Sequence, residues 1–336
     1  MSLHLTRHLA VATTTVALLA GPVAAQVAGL AGTLVITNKS VSTATIIDVA
    51  SGRILATLPT GQGPHEVALS ADGRTAVVTD YYAAQPGRTL TVIDVAALRV
   101  VRTIDLGEHE RPHGIVYLPG DSLVAVTSEA SGHVVVVHVG EGKVRRVAPT
   151  RQAGSHMVGV AADGRRAFTG NVGSNTVSEL DLRTGQFVRS WEVPAMPEAI
   201  NVTPDANEVW VGSNTTGKVS VIDPATGQVT VAAEGFGWPY RILFSPDGRT
   251  VLLPDVKSGE LRILDRASRR ELGRLSFPDA EPQGITITPD GRYALESLAT
   301  QGRVVIVDLA TRTVAGHLSV GQTPDGIAYT PRVFNR

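Results

Sequence analysis

The chain is predicted to fold as an all-β, seven-bladed β-propeller with four antiparallel strands per blade. Three observations lead there. One short phrase returns seven times along 336 residues, with its third residue at 65, 113, 156, 198, 240, 283 and 325. The spacings of 48, 43, 42, 42, 43 and 42 residues suit one propeller blade each. Between the copies lie short β-branched runs broken by Gly, Asp and Pro, the punctuation of strands and turns.

The unit that starts at Gly63 shows the pattern. Residues 65–70 alternate toward an apolar face and read as strand a. Ala71-Asp72-Gly73-Arg74 is a tight turn, 75–79 strand b, 90–95 strand c and 100–105 strand d. The a–b turn recurs as Asp163-Gly164, Asp247-Gly248 and Asp290-Gly291. Gly tolerates the positive φ such turns demand, and Asp bonds its own backbone. Strand c ends in Asp at 48, 94, 181, 223, 265 and 308, with His138 in that place once. These aspartates are expected to cap the c–d turns through backbone N–H groups, a structural role.

The two ends of the chain are offset by one strand. The mature chain starts with strands b, c and d (33–58) and ends with a lone strand a (326–330). Pairing that last strand with the first three completes the seventh blade and removes two open edges.

The units resemble the bacterial repeat family named for a Tyr-Val-Thr-Asn strand b. That motif stands here as Leu34-Val35-Ile36-Thr37-Asn38, Ala76-Val77-Val78-Thr79-Asp80, Phe168-Thr169-Gly170-Asn171 and Val209-Trp210-Val211-Gly212-Ser213-Asn214. The strand-a signature Ile242-Leu243-Phe244-Ser245-Pro246-Asp247-Gly248 also matches. The resemblance spans residues 26–336 and implies the propeller fold. For function it implies a range: surface-layer proteins, periplasmic proteins near quinoprotein pathways, and binding proteins. Related seven-bladed propellers include lactonases, lyases and haem d1 domains, so function has to be argued from a site.

Residues 1–25 read as a secretory signal peptide. Arg7 and His8 precede an apolar run over 9–20, Gly21-Pro22 breaks it, and Val23-Ala24-Ala25 offers small residues for cleavage near Ala25. The run is too short to span a bilayer, and no second span follows. The expected product is a periplasmic or secreted single domain over 26–336, acting as a monomer. With no cysteine in the chain, neither disulfides nor thiolate ligands are available. The 30 basic and 31 acidic residues are interspersed, which argues against nucleic acid as a partner.

Strand a lines the central channel, so the residue after Pro should sit at one mouth. In blade order these are His65, His113, His156, Glu198, Tyr240, Gln283 and Asp325, all polar. Three of the nine histidines occupy this one repeat position on adjacent blades. Imidazole with carboxylate suits a divalent transition metal (Zn, Mn, Fe, Ni or Cu), held by His65, His113 and His156. Tyr240, Glu198 and Arg241 are the candidate catalytic groups beside it. Arg111, Gln283, Asp325, Trp238, Tyr81 and Tyr82 are candidate contacts for a small-molecule or protein ligand at the rim, Arg for carboxylates and aromatics for stacking. Two further readings stay open: a hydrated polar ring, or histidines that bind an anion directly. The function expected is an exported ligand-binding propeller. The alternatives are a metal-dependent lyase or hydrolase acting on a carboxylate, lactone or sugar acid, and a metal-free protein scaffold. No Gly-rich phosphate loop, Gly-x-Ser-x-Gly elbow or Cys-x-x-Cys-His is present, which leaves nucleotide, serine-hydrolase and haem c chemistry unsupported.

Overall fold

Seven four-stranded antiparallel sheets form the ring, one per repeat, in a computed structural model that describes residues 27–82, 85–203 and 205–334. The signal-peptide reading of 1–25 lies outside these residues. Numbered by mouth residue, blades 1 to 6 occupy 64–105, 112–149, 155–192, 197–233, 243–276 and 282–319. Blade 7 is composite: Pro324–Thr330 pairs with Thr33–Asn38, followed by Thr43–Asp48 and Arg53–Pro59. The closing register is Thr33 opposite Thr330, Val35 opposite Ala328 and Ile36 opposite Ile327. Apolar burial then runs between neighbouring blades rather than within any one. Leu34, Ile36 and Ile47 of blade 7 pack on Leu295, Val304 and Ile306 of blade 6, and each interface repeats this pattern.

The caps are as expected. Each strand-c carboxylate accepts backbone N–H bonds from the following turn, among them Asp48 from Ser51, Asp94 from Ala97, Asp223 from Ala225 and Asp308 from Ala310. His138 accepts from Glu141 N in the same way. Among the described residues no helix is long and apolar enough to cross a membrane.

Strand a of blade 5 departs from the expected repeat. Only Leu243–Phe244 is laddered, and the mouth segment above it makes one isolated bridge, Pro239 to Asp255. The cause is Pro254 in the facing strand. Its carbonyl accepts from Tyr240 N at 2.9 Å, but Pro has no N–H to return on that side.

A second departure is Glu296. Its place in strand b is taken by Ile36, Val78, Val126, Val211 and Leu253 in other blades, and by Thr169 in one. Ala294 and Leu298, on the same face of the strand, pack with Leu252, Leu261 and Ile263. Glu296 is fully buried there, with neither carboxyl oxygen hydrogen-bonded among the described residues.

Candidate functional site

The mouth residues are aimed by a shared device. In every blade but the fifth the ladder shifts register across the mouth position, for example between Pro64 and Val67 in blade 1 and Pro112 and Ile115 in blade 2. Such a bulge turns a side chain off the regular alternation, here toward the channel. Hydroxyls on the preceding blade then pin the mouth carbonyls: Thr37 to His65 O at 3.0 Å, Thr127 to His156 O at 2.5 Å and Ser297 to Asp325 O at 2.9 Å. Arg111, just outside the mouth, holds φ at 56°, a left-handed kink that bends the loop into strand a.

Three imidazoles stack across adjacent blades. The ring centroids of His65 and His113 lie 4.0 Å apart, and those of His113 and His156 3.7 Å apart. Tyr81 sets its ring against His65 and His113, edge-to-face at 5.2 and 4.9 Å. The three histidines differ in their partners. His156 Nδ1 bonds Glu129 at 2.6 Å, and its Nε2 lies 3.5 Å from Glu198. Burial alone would depress its pKa, but the two carboxylates outweigh that and raise it to about 9. The reverse holds for Glu198: burial pushes up, and the His156 bond and charge pull down to about 2. His156 is therefore an imidazolium clamped between two carboxylates in the metal-free protein.

His113 is the opposite case. It is wholly buried, and neither ring nitrogen has a hydrogen-bond partner among the described residues. Desolvation, with the neighbouring histidines adding to it, holds its pKa well below the ordinary range, so the ring is neutral.

His65 faces Asp325 and Lys39. Its Nε2 is 2.9 Å from Lys39 Nζ, and Nδ1 is 3.0 Å from Asp325 Oδ2 and 3.5 Å from Glu66 Oε1. An ammonium only donates, so Nε2 accepts and a neutral ring carries its proton on Nδ1, facing the carboxylates. Burial would raise Asp325, yet His65 and the Lys39 ammonium hold it well below the usual carboxylate range. Ligand atoms of His65, Glu66 and His113 all lie within 4.8 Å of one another, a grouping that can hold a metal ion.

The remaining predicted residues join this network with one exception. Glu129 accepts from Tyr81 Oη at 3.0 Å and Arg111 at 3.2 Å, and Arg111 also lies over the Tyr81 and Tyr82 rings. Tyr82 stays at the exposed edge. Trp238 Nε1 donates to Glu198 at 3.0 Å, beside Asn214. Tyr240 is buried with its hydroxyl 3.4 Å from Asp325, and burial drives its pKa well up. Arg241 crosses the channel from blade 5 to pair with Glu66 of blade 1, and its guanidinium also donates to Tyr240 O. Gln283 reaches the mouth with its Oε1 unpartnered among the described residues. Two strand-b end residues, Asp80 and Asp255, stay in the wall. Asp80 accepts from Thr89, Thr91 and Gly61 N, and burial raises it to about 6. Asp255 takes Gly237 N and Trp238 N.

Lys39 was not expected from the sequence. It opens a short 3₁₀ turn, Lys39–Val41, directly after the strand b of blade 7. The signal was available, since every strand-b end returns to this rim, and blade 7 obeys that rule too.

A YNCE-like beta-propeller family profile matches residues 12–122 and 119–237. The chain belongs to that family. No curated protein matches it. Among solved structures, this YNCE-like propeller is similar to hydrazine synthase from Kuenenia stuttgartiensis, at 20% identity and a TM-score of 0.73 over 83% of this chain and 93% of that one. It is also similar to a protein of unknown function from Desulfotomaculum acetoxidans, at 14% identity and a TM-score of 0.74, covering 89% and 98% of the two chains. A 6-phosphogluconolactonase candidate from Bacteroides fragilis follows at 15% identity and a TM-score of 0.70, covering 90% and 98%. At these identities the likeness speaks for the fold alone.

Proposed function

We propose that this propeller is an exported binding protein that takes a divalent transition-metal ion at the channel mouth, through His65, Glu66 and His113. One observation carries the reading: His113 is neutral, wholly buried and, among the described residues, without a partner for either nitrogen. Leaving a buried polar group unpaired costs about 1–3 kcal/mol, a cost that coordination would remove. The donor set, imidazole with carboxylate, is the one that zinc, nickel and copper prefer. Tyr81 and Asp325 supply contacts behind the ligands, as ligating histidines usually require.

Lys39 is the competitor. Its ammonium sits on His65 Nε2, so uptake through that nitrogen displaces it. The charges at the mouth already balance, with Lys39, Arg111, Arg241 and His156 against Glu66, Glu129, Glu198 and Asp325. A divalent ion therefore brings surplus positive charge, which favours an anionic ligand such as a carboxylate beside it. When bound, the ion would polarise such a ligand as a Lewis acid.

Elemental analysis tests this on protein prepared without chelator or affinity-column metal, followed by Zn2+ titration of the stripped protein. One tightly held ion per chain, lost in H113A while that variant still melts as a folded protein, is expected, and K39M should hold that ion more tightly than the parent. Protein that holds no ion tightly, or an H113A variant that keeps the tightly held ion, overturns the reading.

A further inference from the structure

Two more histidines share this rim. His109 lies in the loop between strand d of blade 1 and strand a of blade 2, and His133 begins strand c of blade 2. Their ring centroids are 5.3 Å apart at 66°. Both present Nδ1 to the same atom, Ser131 Oγ, at 3.4 Å for His109 and 3.0 Å for His133. With His65, His113 and His156 they place five of the chain's nine histidines on the mouth side of blades 1 to 3.

The hydrogen-bond chain under this pair fixes its chemistry. Glu110 O can only accept, and it takes the proton of Ser128 Oγ at 2.7 Å. Ser128 Oγ must then accept from Ser131 Oγ, also at 2.7 Å. Ser131 has one hydroxyl proton, and it is used. Its lone pairs are what remain for the two imidazoles, so both Nδ1 atoms carry protons and donate. Each neutral ring is thereby left with its lone pair on Nε2. Among the described residues neither Nε2 makes a hydrogen bond. An imidazole oriented through Nδ1–H by an oxygen acceptor, with Nε2 free, is the arrangement of a metal ligand.

We propose that His109 and His133 form a second ion site, shallower than the first, which takes a late first-row divalent ion (Zn2+, Ni2+ or Cu2+) through paired Nε2 atoms. Water is the donor available for the other positions. Two neutral imidazoles hold such an ion less tightly than a buried His–Glu–His set, so this site exchanges faster with solvent. The assignment does not rest on the inner site being occupied.

Zn2+ titration by calorimetry separates the two sites, using the full chain and variants whose melting confirms folding. H65A/H113A is expected to keep one ion, and adding H109Q/H133Q to that background should remove it. S131A, which keeps both imidazoles but releases their orientation, should weaken the outer site about tenfold. In the parent protein, substoichiometric Cu2+ should broaden the ring signals of His109 and His133 in proton NMR, a readout that needs no variant. The proposal is overturned if folded H65A/H113A binds nothing, or if H109Q/H133Q leaves the stoichiometry unchanged and Cu2+ spares both rings. If the parent binds one ion and H109Q/H133Q abolishes it, the outer site stands and the inner one falls.

Discussion

Replacing Glu296 by valine should stabilise this protein, an unusual direction for a change in a β-sheet core. The side chain is wholly enclosed, neither oxygen has a partner among the described residues, and five of the six equivalent positions hold Ile, Val or Leu. Burial with nothing to offset it raises the carboxyl pKa well above its ordinary 4.5, so the group is folded in as a neutral acid. An unpaired buried polar group costs about 1–3 kcal/mol, and the aliphatic replacement adds apolar contact worth about 0.8 kcal/mol per methylene-sized group. Against this stands a small loss of volume, so the net gain is about 2 kcal/mol where the acid is protonated in both states, and it grows as pH rises above 4.5. For a domain of this size that is about 3 °C in Tm. The sign of the pH dependence follows from proton counting. Above pH 4.5 the unfolded chain releases this proton while the folded chain retains it. The folded state then binds more protons, and stability falls as pH rises, by at most about 1.4 kcal/mol per unit. Thermal melts of wild type, E296V and E296Q from pH 5 to 9 measure this. Wild type should lose Tm relative to both variants as pH rises, and E296V should be the most stable throughout. An E296V protein that melts below wild type at pH 7, or a wild-type pH slope shared by E296Q, would refute the argument.

Two further outcomes follow from the mouth. In metal-free protein the His156 ring should titrate near pH 9 by NMR, and E129Q should lower that midpoint by more than a unit. Because this pKa is raised above 6.5, the clamp contributes fully below pH 6.5 and its contribution is lost as pH rises through about 9. Separately, E66Q leaves Arg241 buried without its carboxylate and should cost about 3–5 kcal/mol in metal-free protein, whereas E66Q/R241Q should recover most of it. Equal losses in the single and double variants, measured by denaturant unfolding, would mean that the pair is not coupled.

Much of this fold is written in the chain because it depends on repetition. The Asp caps, the a–b turns and the lone terminal strand each follow from local rules applied seven times, and the blade-7 seam follows from counting. The polar ring at the mouth was legible for the same reason. What escaped is what breaks the repeat. The residue after each mouth position runs Glu66, Gly114, Met157, Ala199, Arg241, Gly284, Gly326, and no periodicity tells that the first and fifth meet across the channel. Lys39 joins the site from a b–c turn rather than from an inner strand. Pro254 unravels one inner strand, although its consequence depends on which way its missing N–H would point. Nor does the sequence show that His156 spends both nitrogens on carboxylates while His113 spends neither.

The seam in blade 7 works as a clasp. Thr33 Oγ1 reaches the carbonyl of Arg332, 299 positions away in sequence, so nearly the whole chain is one loop shut at one point. The entropy of shutting a loop grows only with the logarithm of its length, about 0.6 kcal/mol for each doubling. Fastening seven blades thus costs little more than fastening half as many would. The return is large, since the last inner strand covers an edge that would otherwise recruit strands from other copies. Until those final residues are in place, the nascent ring is a horseshoe with two sticky ends, and its safety against aggregation depends on how soon the clasp shuts.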